Sequence, residues 1–340
     1  MHTKKERINW IDLVKGFGII LVIYGHNYPY LEKYIYSFHM PLFFFMSGLF
    51  HPKRLTIEIV KKRAKQIIIP YFLWSFLLFL FWFFIGRKFG DSTNLGLSAF
   101  KNFTGIFYAQ GGHDYMNWGL QMWFLPAIFL SFLFFGIVRK LKKKSYQILC
   151  ILLLIITGFL IPKILEIHLI WSIDVALVSL FFYAAAFYLK DFFLNSNNQY
   201  ETIIIFILFL VHVLISFNLI DKIDMYRSIY GNEFLFLLTA SIAISFWMLV
   251  FRRLKRFKKL NFLAFIGKNT IPVLAMHIRS ITVIKLFLLL LWSSKSFAFS
   301  EFEKIILVVL QLIIMYPVII FINKKAPFLN GKNKVMDPRN

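Results

Sequence analysis

The first long apolar segment of the chain, residues 9–26, carries three ionisable side chains that a simple membrane anchor would not need. They are Asp12, Lys15 and His26. Each such group costs about 2.5–3.5 kcal/mol at the centre of a bilayer on insertion scales, and groups of this kind usually mark functional sites. Lys15 and His26 lie roughly 16 Å apart along a helix, about half of a hydrocarbon core. The spacing predicts a binding group at one end of this helix and a reactive base at the other.

The composition places the chain among polytopic membrane proteins. Hydrophobic residues make up 59% of its 340 residues and the mean hydropathy is +0.69, whereas an ordinary soluble domain is about 45–50% apolar. We predict an all-α integral membrane protein with ten transmembrane helices. The candidate spans are 9–26, 34–50, 67–86, 120–138, 146–162, 172–189, 202–220, 232–251, 270–292 and 303–323.

The net charge of +23 is distributed as a membrane protein requires. With the N-terminus inside, 27 of the 39 Lys and Arg residues fall in cytoplasmic segments, nine in outer segments and three within spans. This alternation follows the positive-inside rule and predicts that both termini are cytoplasmic. The basic residues therefore set orientation, and nucleic acid is not an expected partner.

The chain is predicted to form one membrane domain, residues 1–340, with a basic C-terminal tail at 324–340. Its first apolar segment lacks the pattern of a cleaved signal peptide, and the single Cys150 allows no disulfide within the chain. The longest extramembrane piece, residues 87–119, is either a binding loop or a connector.

Two histidines are predicted to face one cavity near the outer leaflet. The second span, 34–50, enters from outside and carries His39, and the short connection 27–33 makes it an antiparallel neighbour of the first span, which ends at His26. Each histidine alone is either a hydrogen-bonding residue or a functional one, but the pair favours function. A histidine suits general-base work on a hydroxyl group. No metal site is predicted, because the two spans supply too few ligands.

A second set of charged residues lies toward the inner leaflet. Asp12 and Lys15 are one helical turn apart and can pair. The stretch before the third span carries Arg63 and Lys65, which are either a positive-inside anchor or a phosphate-binding patch. The ninth span carries His277 and Arg279, about five to seven residues from the inner face.

Further polar residues cluster toward the outer ends of the spans. Asp174 lies just inside the sixth span, where its carboxylate either orients a histidine or accepts hydrogen bonds from sugar hydroxyls, or simply stabilises the helix N-terminus. Trp123 lies near the start of the fourth span, and Asn27 follows His26 directly. Asn27, Trp123 and Asp174, together with His277, are the candidates for binding an acceptor.

These residues give the chain its resemblance to the membrane acyltransferase-3 family, in the branch of fucose 4-O-acetylase-like and surface-polysaccharide acyltransferases. One departure is that Arg63 is followed by Gln66, where the family often has a second arginine. The matching motifs are Asp12, Lys15 and His26 in the first span, the run from Phe38 to Gly48, Trp123 to Leu125, and Ile266 through His277.

The resemblance implies transfer of an acyl group, usually acetyl, from cytoplasmic acyl-CoA to a hydroxyl of a cell-surface polysaccharide or its precursor. Acetyl-CoA is then a substrate rather than a bound cofactor, and the pantetheine arm runs beside the first helix. His26 would deprotonate the acceptor with His39 and Asp12 assisting, and a transient acyl-histidine is a variant. The residues implied in binding the CoA phosphates are Lys15, Arg63, Lys65 and Arg279.

The implied setting is the bacterial plasma membrane. The partners are the lipid bilayer and a glycan acceptor, together with other polysaccharide-biosynthesis membrane proteins or a second copy of the chain. An alternative hypothesis is a saccharide transporter or exporter, which polar groups at mid-membrane also suit.

Overall fold

The computed structural model describes residues 9–88, 96–109, 113–195, 199–218, 221–254, 260–292 and 298–332. Regular structure in these ranges is helical, apart from one isolated β-bridge between Asp224 and Ile229. The predicted all-α class is therefore confirmed. The helices are α1 (Asn9–Gly25), α2 (Glu32–Tyr36), α3 (His39–Gly48), α4 (Ile57–Phe84), α5 (Ala99–Tyr108), α6 (His113–Met116), α7 (Phe124–Val138), α8 (Lys144–Leu165), α9 (Ile173–Tyr188), α10 (Lys190–Asn195), α11 (Glu201–Asn218), α12 (Glu233–Leu254), α13 (Asn261–Gly267), α14 (Thr270–Trp292) and α15 (Glu301–Lys325).

Eight helices in the described ranges are long and apolar enough to cross a membrane, judged by length and composition. They correspond to the last eight of the ten predicted spans. The first predicted span forms α1, a helix of 17 residues. The second, residues 34–50, is divided between α2 and α3.

Pro41 explains why the second span is broken. Proline has no N–H, so a continuous helix would lose the hydrogen bond from residue 41 to the carbonyl of Ser37. The chain instead leaves helical geometry at Phe38 (φ −145°, ψ −18°) and restarts at His39, which places Pro41 in the first turn, where the missing N–H costs little. The Ser37 hydroxyl donates to the Tyr34 carbonyl at 2.7 Å and helps to close the end of α2. The break sets His39 at the first position of α3.

Helix α13 packs against α1 at backbone distance. A Cβ on Gly16 would lie 2.0 Å from the carbonyl oxygen of Leu263, and one on Gly267 would lie 1.8 Å from that of Asp12. Only glycine allows this approach, as in other close helix pairs of membrane proteins. The short helix therefore lies inside the bundle, and α14 begins beside α1 rather than at its end.

The centre of the bundle is formed by α1, α3, α7 and α9. Helix α9 packs on α3, α7 and α8, while α1 packs on α3, α12, α13 and α14. At the periphery, α8 and α11 expose rows of Leu, Ile and Phe, as expected of lipid-facing surfaces. Two ends of the bundle are distinguished below: the Lys15 end, with Asp12 and Gly267, and the His26 end.

Candidate active site

His26 and His277 lie in direct ring contact at one end of the bundle. Their ring centroids are 4.8 Å apart and the planes meet at 77°. The predicted depth of His277, near the inner face and away from His26, is wrong. The reason is that α13 lies within the bundle beside α1, so α14 begins inside the bundle rather than at its surface. His277 therefore lies at the same level as His26.

Hydrogen bonding gives the same tautomer to three histidines. A backbone carbonyl can only accept a hydrogen bond, so an Nδ1 atom bonded to one must carry the proton. The Nε2 atom of the neutral ring then holds the lone pair and can act as a base. The three bonds are His26 to the Val22 carbonyl at 2.8 Å, His39 to that of Ile35 at 2.8 Å, and His277 to that of Leu274 at 2.7 Å.

The three histidines differ in accessibility. His26 is half-buried, whereas His39 and His277 are buried. His39 lies against Tyr36, with ring centroids 4.9 Å apart, and is close enough to His26 for the two rings to interact electrostatically. Within the described ranges no group of three His, Cys, Asp or Glu side chains is placed to hold a metal ion. His26 is thus the ring that an incoming substrate can reach.

Three side-chain amides, one next to His26 and two from other segments, surround this pair of rings. The Asn27 amide donates to the Gln311 side chain at 3.0 Å, and Gln311 donates to the His277 carbonyl at 2.8 Å. Gln121 donates to the Ala275 carbonyl at 2.8 Å. Neither glutamine is among the predicted site residues. A lone amide within an apolar run is the signal by which each could be identified.

Several buried polar atoms here have no hydrogen-bond partner among the described residues. They are Asn27 Oδ1, Gln121 Oε1, His277 Nε2 and Arg279 Nε. An unpaired buried polar group costs about 1–3 kcal/mol. Their convergence around His277 therefore marks a place where a polar ligand, such as a hydroxyl group, would be held.

Arg279 belongs to the His26 end and not with Lys15 and Arg63. Its guanidinium carbon lies 4.4 Å from the centroid of the Trp118 ring, and Trp118 packs against Gly86, just beyond the end of α4. Arg63 lies near the start of the same helix, roughly 35 Å away along the axis. The placement of Arg279 with the inner residues is corrected for the same reason as that of His277.

Arg63 occupies a sheltered position at the Lys15 end. Its Nη2 donates to the Ser47 hydroxyl at 2.7 Å, and its guanidinium lies 5.8 Å from the centre of the Phe132 ring. Its Nε has no partner within the described ranges, and no carboxylate there lies within ion-pair distance. Lys65 lies exposed on another face of α4, since residues two apart on a helix do not face each other.

Asp12 is too far from His26 to assist it directly. The two residues are 14 positions apart on and just beyond α1, which corresponds to about 21 Å along the axis. Asp12 is buried, and its carbonyl lies against Gly267 of α13. Its assignment to the catalytic group is therefore corrected: it lies at the Lys15 end, beside the half-buried Lys15.

A small apolar cavity of about 30 Å³ lies beside α1 between the two ends. Its wall on α1 is formed by Ile19 and Val22, which follow Lys15 and precede His26 in the sequence. The remaining lining residues are Met40, Phe43, Phe124, Leu125, Thr270, Ile271 and Leu274. The cavity therefore lies between the level of Lys15 and the level of the histidines.

Asp174 organises a separate polar cluster at the His26 end. The carboxylate is fully buried; its Oδ2 accepts a hydrogen bond from the Ser228 hydroxyl at 2.8 Å and lies 3.3 Å from His168 Nδ1. Burial, together with the charge of Asp174, raises the pKa of the Tyr230 phenol in the loop 221–230. The histidine that Asp174 contacts is thus His168, not His26.

The backbone around Asp174 adopts conformations that L-residues rarely take. Trp171 (φ 59°), Ser172 (φ 52°) and Ser228 (φ 53°) all lie in the left-handed region. Such residues cost roughly 1–3 kcal/mol each and are concentrated at functional sites.

The loop 221–230 links this cluster to the rest of the site. The Tyr226 ring lies 5.9 Å from that of Trp123, and Asp224 is close enough to act on His26 electrostatically. The loop 221–230 therefore contacts both Trp123 and Asp174. Both residues lie at the end of the bundle that carries His26.

Comparison with known proteins shows the family of the chain. A family model described as an acyltransferase domain matches residues 8–324. The chain belongs to the acyltransferase-3 family. It is also similar to the nodulation protein NolL of Sinorhizobium fredii, with 32% identity over 158 residues, which cover 41% of this chain and 38% of NolL. The chain thus spans about two fifths of that relative. No solved structure shows a match.

The family membership confirms the resemblance seen in the sequence. The matched region includes both α1 and α14, and hence His26, His277 and the cavity between the helices. The chain therefore combines membership of this family with eight described helices that are long and apolar enough to cross a membrane.

Proposed function

We propose that the protein transfers an acyl group from cytoplasmic acyl-CoA to a hydroxyl of a cell-surface polysaccharide or its precursor. One observation carries this proposal. His26 and His277, whose Nε2 atoms hold the lone pairs, lie in ring contact, and an apolar cavity beside α1 lies between them and the Lys15 end of the bundle. A thioester donor needs an anion-binding end and an apolar passage, and a hydroxyl acceptor needs a base.

The donor would enter at the Lys15 end. Arg63 can bind a phosphate oxygen through the part of its guanidinium that does not bond to Ser47, with Lys15 at the same end of the bundle and the exposed Lys65 at the rim. The pantetheine arm would then follow α1 past Ile19 and Val22. That path brings the thioester to His26, roughly 16 Å from Lys15.

His26 would act as the general base. Its Nε2 takes the proton of the acceptor hydroxyl as the oxygen attacks the thioester carbonyl; the C–S bond then breaks, and the CoA thiolate receives the proton from the imidazolium. Asp224 and Glu32 lie close enough to stabilise the imidazolium electrostatically. His277 packs edge-on against the ring and His39 lies nearby.

The acceptor would enter at the His26 end. The unpaired oxygens of Asn27 and Gln121 can accept hydrogen bonds from sugar hydroxyls, and the ring of Trp123 offers an apolar face. Asp174, with its unpaired Oδ1, lies across the loop 221–230. Acceptor recognition is therefore proposed to extend from His26 toward Asp174.

Surface glycan from a deletion strain tests this function. We expect O-acyl esters to disappear on deletion and to return with the wild-type gene, as measured by linkage analysis and mass spectrometry. Normal acylation in the deletion strain, with glycan retained inside the cell, would instead support the saccharide exporter.

We also propose ten membrane crossings, with both termini in the cytoplasm of a bacterial plasma membrane. In this topology α1 and the broken α2–α3 pair form a hairpin whose tip, residues 27–31, lies outside. A single cysteine at Lys142 in a Cys150→Ser background should resist a membrane-impermeant maleimide in intact cells, whereas one at Lys222 should react. Labelling at Lys142 would contradict this orientation.

A further inference from the structure

We propose that the acceptor glycan carries an anionic group, a carboxylate or a phosphate, and that Arg279 binds this group close to the reacting hydroxyl. The inference rests on the proposed function, because it names a property of the acceptor that would enter at the His26 end. It is drawn from the surroundings of one guanidinium on α14.

Arg279 is a half-buried cation without a counter-charge among the described residues. Its Nε atom is buried and has no hydrogen-bond partner there, and none of the ion pairs in these ranges includes its guanidinium. The Trp118 ring, 4.4 Å from Cζ, stabilises the positive charge but leaves the Nε–H group unpaired. Burial of a cation is costly unless it is paired and hydrogen-bonded, so the position favours binding of an anion.

Four carboxylates at the His26 end do not serve Arg279, because each pairs with another side chain. Three of them pair with a cation and the fourth with a hydroxyl group. An anion that binds Arg279 therefore has to come from a ligand. The four pairs are Glu32 with Lys222 at 2.8 Å, Asp224 with Arg227 at 3.7 Å, Glu301 with Lys304 at 2.7 Å, and Asp174 with Ser228 at 2.8 Å.

Arg279 lies beside the reacting atoms and not at them. It follows His277 by two residues, so the two side chains leave α14 on different faces, yet its charge is close enough to act on the His277 ring electrostatically. It shares a face with Ala275, one turn earlier, where Gln121 donates to the backbone carbonyl at 2.8 Å and keeps its own Oε1 unpaired. The anion would therefore lie on the sugar whose hydroxyl meets His26, or on the neighbouring sugar.

The chemistry of the guanidinium defines the class of acceptor. Its planar set of N–H donors matches the two oxygens of a carboxylate or a phosphate, and such charge-assisted hydrogen bonds are about twice as strong as neutral ones. A hydroxyl of a neutral sugar would accept one hydrogen bond and leave the charge of Arg279 uncompensated. An anionic glycan is therefore expected to bind more tightly than a neutral one.

Removal of the anion from the acceptor tests the inference with the full-length protein and acetyl-CoA. Unacylated glycan from the deletion strain is used as isolated, after carboxyl reduction with carbodiimide and borohydride, and after phosphate removal with hydrofluoric acid. For the wild type we expect KM for the glycan to rise about 10- to 100-fold in the form that has lost the anion, the usual contribution of a hydrogen bond to a charged group. That form identifies the anion as carboxylate or phosphate. Arg279→Ala should show the high KM with all three forms.

Arg87→Ala is the matched control. Arg87 lies just beyond α4 at the same end of the bundle and 4.0 Å from the centre of the Phe83 ring, but it is exposed. Its removal should change KM for the isolated glycan less than about 3-fold, as expected of a solvent-screened charge. Arg279→Lys keeps the charge and should retain part of the wild-type ratio of KM values. This ratio is independent of the amount of folded protein, so poor folding of a variant does not alter it.

Two outcomes would overturn the inference and leave acyl transfer standing. The first is an equal KM of the wild type for all three forms of the glycan. The second is a ratio of KM values in Arg279→Ala that matches the wild type. Absence of transfer by the wild type to every form of the glycan would overturn the proposed function itself.

Discussion

Replacing His26 with alanine is expected to lower the rate of acyl transfer by about 100- to 10,000-fold, the usual contribution of a general base. His26 is the accessible ring of the three, and its Nε2 holds the lone pair because Nδ1 is bound to the Val22 carbonyl. The loss should fall on kcat, with little change in KM for acyl-CoA, since the cations that would bind the donor lie at the opposite end of the cavity. Steady-state transfer by purified protein in nanodiscs measures both constants.

Two variants separate chemistry from packing. His26→Asn keeps an N–H that can reach the Val22 carbonyl but supplies no base, so it should be as inactive as His26→Ala. His168→Ala is the comparison at a second histidine: because His168 contacts Asp174, where acceptor recognition is proposed, it should change KM for the glycan rather than kcat. Near-normal transfer by His26→Asn would show that the ring serves only to support the end of α1.

The sequence was sufficient to predict the class of fold and the packing of the second span against the first. Both depend on short-range features: the length of apolar runs, and a connection short enough to make two spans neighbours. Charged residues in the first span were informative because their burial is costly. The resemblance to the family then implied acyl transfer as the reaction that these residues serve.

The depth of residues in α14 could not be read in the same way. Counting residues inward from a predicted membrane surface assumes that a span begins at that surface. Here α13 lies inside the bundle, held by the backbone contacts of Gly16 and Gly267, and such contacts join residues about 250 positions apart. Hydropathy carries no information on such a pairing, so His277 and Arg279 were assigned to the wrong end.

The break in the second span was missed for a different reason. Pro41 was visible, but a proline within an apolar run is compatible with either a kinked helix or a restart. In the structure the helix ends and restarts. The Ser37 hydroxyl ends α2 by donating to the Tyr34 carbonyl, and the same hydroxyl lies 3.1 Å from Nε2 of His212. That partner comes from α11, far away in sequence.

Arg63 and Arg279 provide a test of the two ends of the site. Arg63→Ala should raise KM for acyl-CoA by about 10- to 100-fold, because a hydrogen bond to a charged group contributes roughly 1.5–3 kcal/mol. Arg279→Ala should leave that KM unchanged and lower kcat/KM for the glycan acceptor, since its guanidinium lies over Trp118 near His277. Kinetics with each substrate varied in turn distinguish these outcomes.

Lys65→Ala is the control for charge alone, because Lys65 is exposed and two residues from Arg63 on the same helix. It should change KM for acyl-CoA less than about 3-fold, as expected of a solvent-screened charge worth under 1 kcal/mol. A large increase in that KM in Arg279→Ala, with Arg63→Ala unaffected, would reverse the direction in which the donor enters. The thioester would then approach His26 from the side of Trp118, and the apolar cavity beside α1 would no longer lie on its path.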